Sequence, residues 1–175
     1  EEVGIKDVSM VGGKNASLGE MIRTLKSKGV PVPSGFVVTA SAYFYFLEST
    51  GLDKFIRTTL KGLNTKNLKD LSRCGKLIRE KVVRAEFPAD LKAEIMEGYR
   101  ELEERYGKNA DVAVRSSATA EDLPGASFAG EQESYLGIRG AKEVQIAVRA
   151  TMASLFTDRA ISYRADRGFN HLKIA

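Results

Sequence analysis

The sequence predicts an α+β fold, rich in helix and carrying a small sheet. Three observations lead there. Residues 52–106 and 142–164 hold apolar side chains at helical spacing. Two short strand-like runs, 111–114 and 133–138, flank a loop of small residues. Glycine and proline break the first forty residues into short units.

In chain order, the opening reads as strand, glycine turn, helix, turn and strand, a unit of α/β character. Residues 8–11, Val-Ser-Met-Val, are short and apolar and end at Gly12-Gly13. A helix follows from about Asn15, with Leu18, Met21, Ile22 and Leu25 at i, i+3, i+4 and i+7 as one buried stripe. Gly29 suits the left-handed position just past a helix end. In Val-Pro-Val-Pro each proline pushes its predecessor out of the α region, so the chain turns stiffly. Phe36-Val37-Val38-Thr39 then reads as a buried strand.

From Thr39 a second helix presents Tyr43, Phe44, Phe46 and Leu47 as an aromatic core face. Helix continues over 52–106, with breaks at 62–64, at Phe87-Pro88 and at Gly107. Asp90 falls in the first turn after Pro88, where its charge suits the positive end of the helix dipole. Strand returns at 111–114, and 133–138 alternates as its partner. A long helix closes the chain from about Lys142 to Arg164, turning Val144, Val148, Met152, Leu155 and Phe156 inward.

Composition bounds the function. A chain of 175 residues, 43% hydrophobic and 29% charged, suits one globular domain or slightly more. The single Cys74 excludes an internal disulfide framework, reads as a lone helix thiol and fits a reducing compartment, so the expected location is cytoplasmic. His171 is the one histidine, which excludes a His-based metal cluster and a Ser-His-Asp triad within the chain. It reads as a surface histidine near an end. A net charge of +4 invites a nucleic-acid reading. Between Lys61 and Lys92, nine Lys/Arg face four Asp/Glu, yet they alternate with Leu, Ile and Val as on a solvated helix face. No nucleic acid is expected as a partner. Nor is a membrane, since no apolar run approaches the roughly 20 residues needed to cross one.

Two places invite chemistry. In Gly12-Gly13-Lys14 a glycine pair lets backbone N–H groups approach an anion at a helix start, and Lys14 adds a mobile positive charge. The spacing of a Walker loop is absent, and glycine turns before helices are common as plain structure. The second place begins at Arg115, at the end of a strand. After it come 23 residues, 116–138, without Lys or Arg, rich in Gly, Ala and Ser. Small side chains leave room for a polyphosphate, an arginine fork bridges two phosphate oxygens, and a hydroxyl such as Ser134 donates one further bond. A mobile surface loop fits the composition equally well.

Taken together, "GGKNASLGEM", "GVPVPSGFVVTASAY", "VAVRSSATAEDLPGASFAGEQESYL" and "ASLFTDRAISYRADRGFNH" resemble the N-terminal nucleotide-binding region of the phosphoenolpyruvate synthase (pyruvate, water dikinase) family. The resemblance covers nearly the whole chain outside the helices at about 55–105. It implies part of an ATP-grasp-type domain, residues 1–175 being its N-terminal part. It also implies a reaction of ATP, pyruvate and water giving AMP, phosphoenolpyruvate and phosphate, with Mg2+. The β-phosphate passes to a histidine on a separate domain and from there to pyruvate on a third, neither of which lies in these residues. Carried over by position, Lys14 contacts ATP phosphates and Arg115 binds the transferring phosphates. Gly130 belongs to a phosphate-covering loop, and Ser134 stands where relatives often have threonine. Glu131 departs from the usual glutamine, and a carboxylate there is expected to stay off the phosphates. Pyruvate phosphate dikinase and rifampicin phosphotransferase share this front end, so the phosphoryl acceptor stays open, as does a non-catalytic nucleotide-binding module.

Overall fold

The computed structural model describes residues 3–119, 122–123, 126–127 and 133–175. Helices dominate: α1 (Val8–Leu25), α2 (Ala40–Ser49), α3 (Leu52–Leu60), α4 (Leu68–Arg84) and α5 (Ala89–Tyr106) precede the strands, and α6 (Ala141–Ala153) and α7 (Asp158–Asp166) follow them. The strands are β1 (Val112–Arg115), β2 (Asp122–Leu123), β3 (Ala126–Ser127) and β4 (Ser134–Ile138). The antiparallel pairs are β1 with β4 and β2 with β3. The architecture is α+β, as the helical periodicity and the two strand-like runs require.

Local chemistry sets the helix boundaries. Thr39, Asn67 and Thr157 each stand at an N-cap and accept from the backbone N–H three residues on, at 3.2, 3.3 and 3.2 Å. Gly29 takes φ 75° where the first helical unit ends. The breaks within 52–106 fall at 61–67 and at 85–88.

One core ties these elements together. Phe46 of α2, Ile56 of α3, Ile78 of α4, Tyr99 of α5, Val144 of α6 and Phe156 are all at most 1% exposed. Phe46 meets Phe87 with ring centroids 4.8 Å apart and planes tilted by 55°, an arrangement aromatic pairs prefer. Phe46→Ala is expected to cost about 3–5 kcal/mol through lost burial and the cavity left behind, read as a lower urea midpoint.

The expected stripe of α1 is not buried, since Met21 is 44% exposed and Leu18, Ile22 and Leu25 are only partly covered, while Ala16 and Gly19 lie inside. Three expected elements differ as well. Residues 8–11 form a helical turn rather than a strand. Four residues cannot stand as a strand without a ladder partner, whereas a helical turn pairs its backbone locally. Residues 36–39 make no strand either and run without regular pairing between Gly29 and α2. The closing helix is two helices: Ser154–Phe156 tightens to a 3₁₀ turn, and Thr157 at ψ 155° leaves helical geometry and caps α7. Its inward residues are still the expected ones, all buried.

His171 is not a surface histidine. It is half-buried, and its Nδ1 accepts from Arg164 Nε at 3.0 Å. Arg164 is 1% exposed, donates to the Leu155 carbonyl and lies over the Phe156 ring. Burial, and then the Arg164 charge, pushes the His171 imidazole down to about 4. A depressed base binds fewer protons folded than unfolded. Stability is therefore full above the unfolded value of about 6.5 and falls as pH drops toward 4. His171→Gln keeps an acceptor without a titrating group, so urea midpoints at pH 7 and pH 5 should differ less than in the native protein.

Candidate functional site

The site is built around Gly12. This residue takes φ 76° and ψ 165°, a region that essentially only glycine occupies. The break interrupts α1, so the helix proper restarts at Gly13. A side chain at Gly12 would place its Cβ 1.9 Å from the Ser117 carbonyl oxygen. The segment following β1 thus lies directly against the glycine turn.

One hydrogen bond fixes this contact. Asn15 N–H donates to Ser117 Oγ at 3.0 Å, across 102 residues of sequence. The first amides of a helix have no intrahelical acceptor, and here a distant serine supplies one. Asn15 Nδ2 in turn donates to the Val11 carbonyl at 2.9 Å, holding the turn before the break. Lys14 sits between Gly13 and this bonded amide, with its side chain exposed.

The other half of the site comes from the sheet. Arg115, at the end of β1, stands directly opposite Ser134, the first residue of β4. Residues opposed in this way project from the same face, with Cβ atoms about 4.5–5.5 Å apart. Both are exposed. Farther along, β4 carries one extra residue between the positions facing Val114 and Val112, with Gly137 at φ 69°. This bulge twists the ribbon while leaving the Arg115–Ser134 end in register.

Three of the four predicted site residues are therefore drawn into one region. Arg115 and Ser134 are joined by strand pairing, and Lys14 is joined to them through Asn15 and Ser117. Gly130, with Glu131 beside it, lies outside the described residues. Sequence reasoning missed Ser117 as a builder of the site and gave Gly12 only a role in anion approach. The signal for Ser117 was its place two residues after Arg115; nothing local showed that its hydroxyl was committed to α1.

Electrostatically the region suits an anion. Two side-chain cations flank the start of a helix, whose dipole adds positive potential. Among the described residues no group of three or more His, Cys, Asp or Glu is placed to hold a metal ion. The described residues thus build no all-protein metal cage, which magnesium held on phosphates does not require.

Comparison with known proteins gives the chain its family. The family described as "Pyruvate phosphate dikinase, AMP/ATP-binding domain" matches residues 8–175. A phosphoenolpyruvate synthase of Aquifex aeolicus is 56% identical over 175 residues, which is 99% of this chain and 20% of that protein. The Helicobacter pylori phosphoenolpyruvate synthase is 51% identical, covering 100% and 22%, and that of Escherichia coli 45% identical, covering 99% and 22%. The chain spans about a fifth of the length of these relatives. With the match running from the first helix to the last residue, the chain belongs to the pyruvate phosphate dikinase AMP/ATP-binding domain family.

Proposed function

We propose that these residues form the phosphate-gripping part of the ATP-binding domain of a phosphoenolpyruvate synthase. The full-length enzyme transfers the β-phosphate of ATP to a histidine on another domain and then to pyruvate, with water consumed and AMP and phosphate released. The observation that carries the reading is the convergence of Lys14, Arg115 and Ser134 through the Asn15–Ser117 bond and the β1–β4 register. An ATP-grasp-type arrangement, with a second half closing over the nucleotide, and a cytoplasmic location belong to the same proposal.

The residue types match the task. Phosphoryl transfer needs alignment and charge neutralisation more than covalent help from the protein. The planar fork of Arg115 donates to two phosphate oxygens at once, and Lys14 approaches from the helix side as a point charge. The Ser134 hydroxyl donates one bond beside the arginine. Gly130 lies outside the described residues, and the family resemblance assigns it a main-chain N–H toward the nucleotide. Magnesium would serve to screen the phosphates. No step here is routed through it.

The test is transfer of label from ATP marked at its β-phosphate to an acid-labile site on the full-length protein, without pyruvate. Labelling is expected from β-labelled ATP and not from γ-labelled ATP. Labelling from the γ position alone would show another kind of kinase. Ser134→Ala is expected to slow labelling about tenfold, the worth of one hydrogen bond to a charged group.

A further inference from the structure

Apart from the phosphate grip, a cavity of about 230 Å3 opens between the end of α3 and the segment after α7. The α3 side brings Ile56, Arg57, Leu60 and Lys61, and the later segment brings Asn170, His171 and Leu172. None of these residues is shared with the phosphate grip. At roughly 30 Å3 per liquid water the cavity has room for about seven molecules. Beside it, Lys66 Nζ reaches Asp166 Oδ1 at 3.4 Å and ties the two sides together.

The lining divides by chemistry. Ile56 is fully buried and, with the half-buried Leu60 and Leu172, makes an apolar side. The polar side chains are all left as donors. Arg57 and Lys61 are exposed and make no ion pair among the described residues. They stand at i and i+4, where like charges repel on a helix surface. Asp53, one turn before Arg57, keeps its Oδ1 buried without a partner instead of reaching it. Asn170 Oδ1 accepts from the Leu172 N–H at 2.9 Å, which leaves the Asn170 amide N–H groups. His171 Nδ1 accepts from Arg164 Nε at 3.0 Å. Arginine only donates, so the imidazole is neutral and carries its proton on Nε2. That N–H has no partner among the described residues.

We propose that this cavity binds a small carboxylate, its oxygens among Arg57, Lys61, Asn170 and His171 Nε2–H and its short alkyl body on Ile56, Leu60 and Leu172. A carboxylate takes two parallel bonds from a guanidinium fork and keeps lone pairs for further donors. Lying between Arg57 and Lys61, it also turns their repulsion into attraction. Inorganic phosphate would meet the cations but leave the apolar side unused. A neutral amide would use the apolar side but set its own N–H groups against donors. The proposal is independent of the reading of Lys14 and Arg115, and phosphate labelling can fail while it stands.

Butyrate is the probe, with butyramide and inorganic phosphate as controls, on the full-length protein at constant ionic strength. The readout is the rate at which Lys61 is acetylated by an N-hydroxysuccinimide ester, followed on its own peptide by mass spectrometry. Half-saturation at about 1–10 mM butyrate is expected for a ligand of this size. At ten times that concentration Lys61 should react about tenfold more slowly by mass action, while the exposed Lys69 of α4 keeps its rate. Neither control should slow Lys61 at the same concentration. Arg57→Gln keeps an exposed polar side chain and should raise the half-saturating concentration at least about tenfold. Lys61 unaffected by butyrate, slowed equally by a control, or slowed as well in Arg57→Gln would overturn the proposal. So would a Lys61 that fails to react without any probe, because polypeptide outside these residues would then already fill the cavity.

Discussion

Arg115→Ala in the full-length protein is expected to reduce histidine labelling from ATP by about a thousandfold, the scale on which an arginine aligned with transferring phosphates contributes. The reason is geometric. Arg115 ends β1, opposes Ser134 and is exposed, so its guanidinium is presented by the sheet rather than consumed by the core. Arg115→Lys keeps the charge and loses the fork, and an intermediate loss of about tenfold to a hundredfold should follow. Because the side chain is exposed, neither change should alter the free energy of urea unfolding by more than about 0.5 kcal/mol. A large loss of stability alongside the loss of labelling would assign Arg115 to structure.

Gly12→Ala carries the largest expected effect on folding among the site's residues. The φ of 76° with ψ of 165° is closed to a side chain, and the new Cβ would meet a backbone carbonyl at 1.9 Å, not a movable side-chain end. Either α1 or the segment after β1 must shift. A loss of at least about 3 kcal/mol is expected, read from urea unfolding. ATP binding should weaken too, since the same contact brings Lys14 toward Arg115. Ser117→Ala removes the hydroxyl and leaves the carbonyl packing, so it should cost only about 1 kcal/mol. Equal effects of the two substitutions would show that the hydrogen bond, rather than the close approach, holds the segments together.

Much of this was legible in the residues. Helical periodicity found α2 through α6, and the stripe of Val144, Val148, Met152, Leu155 and Phe156 is buried as expected. The pairing of 111–114 with 133–138 followed from their alternation, although the bulge at Gly137 did not. What periodicity could not show was pairing at a distance. Residues 36–39 have strand character, but a strand is a relation between two segments, and these residues find no partner here. Residues 8–11 failed for the same reason and took the local alternative. His171 misled because a position near an end says nothing of burial; the buried Arg164 that claims it comes from α7. For the site, residue types pointed to Lys14, Arg115 and Ser134 separately. Their union depends on the Asn15–Ser117 bond and the Gly12 approach, which no local pattern encodes.

The central claim is that two segments a hundred residues apart form a single phosphate grip. Hydrogen exchange of the full-length protein with and without a non-hydrolysable ATP analogue tests it most directly. The account predicts slower exchange on nucleotide addition in 13–15 and 115–117 together, with the basic helices at 61–92 unchanged. Protection confined to the 61–92 helices, or absent from both site segments while the analogue is bound, would contradict it.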